Sequence, residues 1–482
     1  MLTSSFVCPA TVSRPSKVSK MPLYVLRVCM EHATFRIPSL LSVAQLYGFS
    51  IKFISEDADR GIVVIELDDD EDVDKLLERG TLILPAGEKL PPDPYAKPSS
   101  DLRLTMLSTA SRLLAQADSY DQLHAYLHEH PEGLRPYLDK NFKFFVEGIN
   151  HRIPSSRQRK SIDAFEQHGY TGKAAMKDPE VEFIIYEEYD LNEAHSHEKS
   201  HRLERDGQFR QVYFCVKMGE SRARPLIQAH SVKTRSYYGN TSMEAEMGFL
   251  MAGQALPAPG KIVYDPFAGT GSMLYSCAHW GATVLGSDID GRQMRGKGQG
   301  KGYVPGVYRA ADQYGVRDRV LDCMTFDITR GPWRRGGWLD AVVTDPPYYR
   351  PPSRPYELVN LTRDLVLFAR WILVPGGRLV FFLPTVSEDY DAVDVPVVEG
   401  MRELKWGEGS VQDFGKWGRR LITMEKTADD DGARPSFDDS EAVEVDSGAK
   451  IPGHFQFRER YHEKFTPRLQ PSSSAASPGP ET

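Results

Sequence analysis

Residues 261–290 read KIVYDPFAGTGSMLYSCAHWGATVLGSDID. The apolar KIVYDPF predicts a strand, GSMLYSCAHWG a helix and ATVLGSDID a second strand. Further along, DAVVTDPPY and GRLVFFLPT read as strands on either side of the helical LTRDLVLFARWIL. Strands alternating with helices of this length predict an α/β fold with a doubly wound, mostly parallel sheet. The pattern extends over residues 221–426.

The join between the first strand and its helix carries chemistry. Gly269 and Gly271 permit a tight turn and a close approach of backbone to a ligand. A dinucleotide site would want a third glycine where Leu274 stands. Asp265, ahead of the glycines, would repel a pyrophosphate. S-adenosylmethionine instead presents a cationic sulfonium and an α-amino group, and an acid at Asp265 attracts both. Asp288 ends the second strand, where a carboxylate can accept hydrogen bonds from ribose hydroxyls; an Asp at a strand end can also serve only as a helix cap. Asp327, within TFDIT (325–329), falls near the end of the third strand and is a further candidate for the cofactor's base. Phe267 in the turn, and Asn240 and Thr241 in the loop YGNTS (238–242), complete the candidate cofactor-binding set. TSMEAEMGFLMAGQAL (241–256) reads as a capped helix, with Thr241 or Ser242 as N-cap and Glu244 or Glu246 in its first turn.

AVVTDPPYY (341–349) is a strand that ends in Asp-Pro-Pro-Tyr. An exocyclic amine on a nucleobase is a poor nucleophile, because its lone pair is delocalised into the ring. A catalyst should accept both amine protons and aim the lone pair at a methyl group. Asp345 can accept one proton and the Pro346 carbonyl the other. Pro346 and Pro347 fix φ and stiffen that carbonyl's position. Tyr348 can stack on the target base, which would be flipped out of any helix it occupied. Pro-Pro is also an ordinary loop signal, but that reading accounts for neither the acid before it nor the aromatic after it. Asp345, Pro346, Pro347 and Tyr348 are therefore the candidate catalytic residues.

The rest of the chain frames this domain. The protein has 482 residues, a net charge of −8, 40% hydrophobic and 26% charged residues. It holds no apolar run long enough to span a bilayer, so no membrane partner is expected. Five dispersed cysteines without a CxxC or Cys/His cluster argue against a zinc site and for a reducing compartment. His195, His197 and His201 lie in a polar loop without a further ligand nearby, so no metal is expected. Residues 1–20 combine seven Ser/Thr with three bases and no acid, and read as a disordered extension. From 21 to 190 strands and helices alternate as a smaller α+β region: strands at 23–29, 61–67, 81–87, 142–149 and 180–189, helices at 37–49 and 70–80, and helical pattern over 101–130. Its basic run HRIPSSRQRK (151–160) has no acid between Gly148 and Ile162, which makes Arg152, Arg157, Arg159 and Lys160 candidates for nucleic-acid contact. Residues 191–220 read as linker and connecting strand, and 427–482 as a mostly disordered acidic and Ser/Pro-rich tail.

Taken together, YGNTSMEAEMGFLMAGQAL, YDPFAGTGSMLYSCAHWGATVLGSDIDGRQMRGKG, TDPPY, VQDFGKWGRRL (411–421) and FRERYHEKF resemble the catalytic subunit of the tRNA guanosine-10 N2-methyltransferases. The resemblance covers most of residues 22–425. It implies a Rossmann-like methyltransferase domain and an N-terminal RNA-binding half of the THUMP type with a ferredoxin-like portion. It also implies S-adenosylmethionine as methyl donor, tRNA as substrate, a small zinc-binding activator subunit as partner and a cytoplasmic location. Asp345, Pro346, Pro347 and Tyr348 match the family's catalytic tetrad, and Asp265, Gly269, Gly271 and Asp288 its cofactor positions. The sequence departs from the family pattern just after the tetrad. Tyr349 stands where the family has Gly, and most of a following loop is missing. That departure keeps open a non-catalytic RNA-binding protein as a rival. A DNA adenine amino-methyltransferase is the other rival, disfavoured by the lack of a DNA-reading motif such as a zinc finger.

Overall fold

The computed structural model describes residues 21–28, 32–55, 60–79, 109–190, 208–296, 302–347, 358–386, 395–406, 409–415, 417–428 and 433–437. The sequence expectations for residues 1–20, the strand at 81–87, the loop with its three histidines, Tyr348, the short segment after it, and most of the acidic tail lie outside these residues. The chain forms two bodies. One holds residues up to 31 and 44–224, the other residues 32–43 and everything from 225 onward. Among the described residues no helix is long and apolar enough to cross a membrane.

The first body is built on one seven-stranded sheet. In chain order the elements of this half of the sequence are β1 (Leu23–Arg27), α1 (Arg36–Tyr47, of which residues 36–43 belong to the second body), β2 (Lys52–Ser55), β3 (Ile62–Glu66), α2 (Asp70–Arg79), β4 (Thr109–Ala117), α3 (Tyr120–Glu129), β5 (Phe142–Ile149), α4 (Ser155–Asp163), β6 (Val181–Tyr189) and β7 (Phe209–Glu220). The strands lie in the order β2-β3-β1-β4-β7-β6-β5. Only β5 and β6 run parallel. Leu123, Leu127, Phe165, Phe183 and Phe214 pack α3 and the turn after α4 onto this sheet.

One expectation is corrected, and another is met. Among the described residues the helical pattern over 101–130 holds only for α3; residues 109–117 form β4 instead. Paired on both sides by β1 and β7, this segment is claimed by the sheet against its own local preference. Residues 209–220 form the strand expected within 191–220. As β7 they sit between β4 and β6 and bury Val212, Tyr213, Phe214 and Cys215.

The second body continues with α5 (Ala223–Ala229), α6 (Ala245–Gln254), β8 (Ile262–Asp265), α7 (Ser272–His279), β9 (Thr283–Asp288), α8 (Gly291–Arg295), α9 (Gly306–Gln313), β10 (Val320–Thr325), β11 (Leu339–Thr344), α10 (Leu358–Ile372), β12 (Leu373–Val386), β13 (Met401–Glu403), β14 (Ser410–Asp413) and β15 (Trp417–Lys426). Its strand order is β10-β9-β8-β11-β12-β15-β13, with β14 paired to β15. The five strands β10 to β12 are parallel, and β15 joins them antiparallel. This is the Rossmann-like sheet that the strand–helix alternation predicts. Its core packs α10, through Leu365, Phe368 and Trp371, against Tyr264, Val342 and Phe381. Leu274 of α7 approaches the sheet from the other face, at Gly286.

Residues 32–43 complete this body from the far end of the sequence. The Thr34 hydroxyl accepts from the Val411 amide at 2.9 Å. Ser42 on α1 lies 3.4 Å from the guanidinium of Arg378, a buried residue of β12.

Candidate active site

In a doubly wound sheet, ligands bind beyond the carboxyl ends of the strands, where the strand order reverses. Here the reversal falls between β8 and β11, and both strands end in residues singled out above. A cavity of about 940 Å3 opens there. Asn240, Thr241, Asp265, Phe267, Gly269, Asp288, Asp345, Pro346 and Pro347 all line it. The structure thus brings together predicted site residues from well-separated stretches of sequence.

Asp265 is the last residue of β8 and is 3% exposed. Burial pushes its carboxyl up to about 7, against hydrogen bonds that favour the charged form and with the nearby charges of Asp288 and Asp345 adding to the rise. Those hydrogen bonds come from the Thr344 hydroxyl at 2.6 Å and the Phe267 amide at 3.0 Å, both to Oδ1. Asp288 accepts the Gly269 amide on Oδ2 at 2.9 Å and the Asp290 amide on Oδ1 at 2.8 Å. It therefore ties the glycine turn to the end of β9 while lining the cavity.

The turn itself needs glycine. Gly269 and Gly271 have φ of 49° and 85°. A Cβ on Gly271 would stand 2.7 Å from the Tyr275 hydroxyl, which donates to the carbonyls of Thr270 and Val307. Gly271 does not itself line the cavity; it shapes the turn from behind.

The loop before α6 is pinned to this turn. Ser242 Oγ accepts the Gly239 amide at 2.9 Å and lies 2.8 Å from Thr270 Oγ1. This occupation explains a correction. Neither Thr241 nor Ser242 caps α6, which begins at Ala245 after Glu244 without a side-chain cap, although Glu246 does sit in its first turn. Asp327 is also placed differently from expectation. Its carboxylate accepts the Thr329 amide at 3.0 Å and the Thr329 hydroxyl at 2.8 Å as a local cap, and it is not among the cavity's residues.

Asp345 follows β11, with Pro346 buried and Pro347 exposed beside it. Arg419 Nη1 donates to Asp345 Oδ2 at 2.9 Å. Arg419 comes from β15, and with Gln412 and Phe414 it lines the cavity. All three fall within VQDFGKWGRRL, and no local feature of that stretch marks any of them as a site residue.

The basic run opens α4 on the first body. Arg152, Arg159 and Lys160 are exposed. Arg157 is not simply a solvated base: it donates to Glu187 at 2.7 Å, a carboxylate fully buried on β6. The run lacks acids in sequence, but the fold supplies one.

A donor ligand can be tested against the cavity's own chemistry. Asp265 is a desolvated carboxyl with two further acids near it, a setting that favours a cationic ligand and disfavours a phosphate. The glycine turn leaves backbone accessible beside it. S-adenosylmethionine, a nucleoside carrying a sulfonium and an ammonium, fits this set.

Comparison with known proteins adds four findings. A family model described as the Tmrp11 THUMP N-terminal domain matches residues 22–86 and 102–211. The tRNA (guanine(10)-N(2))-methyltransferase of Schizosaccharomyces pombe is 34% identical over 391 residues, 73% of this chain and 77% of that protein. The enzyme of the same name from Saccharomyces cerevisiae is 30% identical over 441 residues, 83% of this chain and 92% of that protein. Among solved structures, TrmN from Thermus thermophilus aligns over 84% of this chain and 99% of its own, at 16% identity and a TM-score of 0.39.

Proposed function

Because the chain belongs to the tRNA (guanine(10)-N(2))-methyltransferase family, we propose that its second body transfers a methyl group from S-adenosylmethionine to the exocyclic N2 amine of guanosine 10 in tRNA. The observation that carries this is the convergence of Asp265, the glycine turn, Asp288 and Asp345-Pro346-Pro347 on one cavity at the switch point of the sheet.

Asp265, Phe267, Gly269 and Asp288, with Asn240 and Thr241, would hold the methyl donor. When bound, S-adenosylmethionine supplies an electrophilic methyl group on a positively charged sulfur. Asp265 supplies the opposing charge from a buried position. Asp288 keeps the glycine turn closed through the Gly269 amide and offers its carboxylate to the ribose. Asp345 accepts one proton of the N2 amine, and the rigid Pro346 carbonyl accepts the other. Together they point the nitrogen lone pair out of the base's conjugated plane. N2 would take the methyl carbon in line as the carbon–sulfur bond breaks and leaves the neutral thioether S-adenosylhomocysteine, and the Asp345 carboxylate would take the proton displaced from nitrogen, so no covalent enzyme intermediate is needed. Tyr348 next in sequence is the stacking residue of this reading.

The first body presents the tRNA, with Arg152, Arg159 and Lys160 as exposed phosphate contacts. A small zinc-binding activator and a cytoplasmic location belong to the same reading. β10 suits such a partner: it is the outermost strand on its side of the sheet among the described residues, and its Leu321 is 65% exposed.

The test is methyl transfer from labelled S-adenosylmethionine to an unmodified tRNA transcript, with and without the activator subunit, followed by nucleoside mapping. The expected product is N2-methylguanosine at position 10. Label in any other nucleoside, or none, would sink the assignment.

A further inference from the structure

Arg419 is held at more points than a simple ion pair requires. Nη1 donates to Asp345 Oδ2 at 2.9 Å, Nε donates to Gln412 Oε1 at 2.7 Å, and Nη2 lies 3.2 Å from Met243 Sδ. Its guanidinium also lies 4.2 Å from the centre of the Phe382 ring. Gln412 and Arg419 are register partners across β14 and β15, so the sheet itself sets their separation. The Arg419 side chain is only 12% exposed. A planar fork fixed in this way presents its donors in one direction.

Asp345 stands just past the end of β11, in Asp-Pro-Pro, where the following prolines supply no backbone N–H to orient a carboxylate.

We propose that Arg419 is a positioning residue for methyl transfer. By engaging Oδ2 it fixes the plane of the Asp345 carboxylate, so that the acid meets the substrate amine in a single orientation. Gln412, Met243 and Phe382 hold the guanidinium and carry that orientation back to strands β14 and β12 and to the loop before α6. This inference rests on the reading of Asp345 as the acceptor of an amine proton. A misplacement of about 1 Å at a reacting group can cost on the order of 10²-fold in rate. The guanidinium contributes through Asp345 rather than by touching the base, so its loss should fall on the catalytic step and not on binding.

The experiment compares Arg419→Met, which keeps an unbranched apolar stem and removes the donors, with Arg419→Lys. Lysine keeps a charge in reach of Asp345 but cannot bridge to Gln412 at the same time. The full chain, alone and with the activator subunit, is assayed on an unmodified tRNA transcript. S-adenosylmethionine binding is followed by calorimetry and folding by thermal melting. In Arg419→Met we expect kcat to fall about 30- to 100-fold, with KM for tRNA and donor affinity within about 3-fold of wild type. Arg419→Lys should recover part of that kcat. A kcat within about 3-fold of wild type in Arg419→Met overturns the proposal, as does a loss of donor affinity that matches the loss of kcat. If the wild type methylates a base amine other than guanosine 10, the functional reading fails while the same ratios still test Arg419. A wild type that methylates no RNA in either setting overturns both.

Discussion

The Thr344 hydroxyl donates to Oδ1 of Asp265 at 2.6 Å, and Thr344 is the residue immediately before Asp345. The acid proposed to face the donor's charge and the acid proposed to face the acceptor amine are thus joined through adjacent strands β8 and β11.

Burial outweighs the hydrogen bonds to Asp265 and pushes its carboxyl up to about 7. Attraction for a cationic ligand is present above that value and is lost as pH falls through it. Thr344→Val keeps the shape but removes a donor that favours the charged form, so the carboxyl rises further. S-adenosylmethionine affinity at pH 7 should drop roughly tenfold, as for a lost hydrogen bond to a charged group. It should recover toward wild type as the pH is raised by one to two units, roughly. Calorimetry across pH checks this; an equal loss at every pH would refute it.

The same group makes stability depend on pH. Its carboxyl stands at about 7 in the folded chain against an ordinary value of 3.8, so between these values the native state holds a proton that the unfolded state has released. Stability therefore falls as pH rises through that window. Asp265→Asn keeps the Oδ1 acceptor and removes the penalty. Its Tm should exceed that of wild type by about 2 °C or more at pH 8, with the gap closing toward pH 4. Donor affinity should be weakened at the same time. A constant gap in Tm across pH would count against the desolvated acid.

Asp345→Ala should abolish transfer, lowering kcat by roughly 10³-fold or more, while S-adenosylmethionine affinity stays within about 3-fold. Parallel loss of both would mean that Asp345 serves the donor rather than the amine.

Gly271→Ala introduces a Cβ 2.7 Å from the Tyr275 hydroxyl at a φ of 85°. It should destabilise the second body by about 1–3 kcal/mol and weaken donor binding. A Tm equal to that of wild type would show that the turn tolerates a side chain.

The basic run divides. Ala at Arg159 and Lys160 should leave Tm unchanged and lower the salt slope of tRNA binding by about 1 for each phosphate left without its cation. Arg157→Ala should instead lower Tm, because Glu187 is fully buried and loses its ion-pair partner. Filter binding at several salt concentrations, with melting curves, separates the two; an Arg157 variant with wild-type Tm would return that residue to the RNA face.

Much of the site is legible in the sequence because its residues sit in local punctuation. Glycines that need positive φ, an acid at a strand end and a proline pair each have one backbone context, and the alternation of strands and helices puts them at the same edge of a sheet. Arg419, Gln412 and Phe414 are not legible as site residues. They reach the cavity only because β15 pairs antiparallel with β12 and carries β14 with it, and strand residues carry no local mark of what their far neighbours are. β4 escapes a local reading for the same reason: its partners β1 and β7 lie far from it along the chain. Asp327 shows the reverse failure. It has the right residue type at a strand end, and a hydroxyl two positions on takes up its carboxylate.

The threading of residues 32–43 into the second body has a consequence for synthesis. Thr34 is made early, and its partner Val411 lies 377 positions later. At about 5–20 residues per second, translation separates the two by roughly 20–75 s. During that interval Thr34 has been made without its Val411 partner, and the second body stays unsealed until its last strands emerge. A fragment starting at residue 225 would repeat that unfinished state permanently, so the catalytic half should be expressed together with its N-terminal segment rather than cut at the apparent boundary.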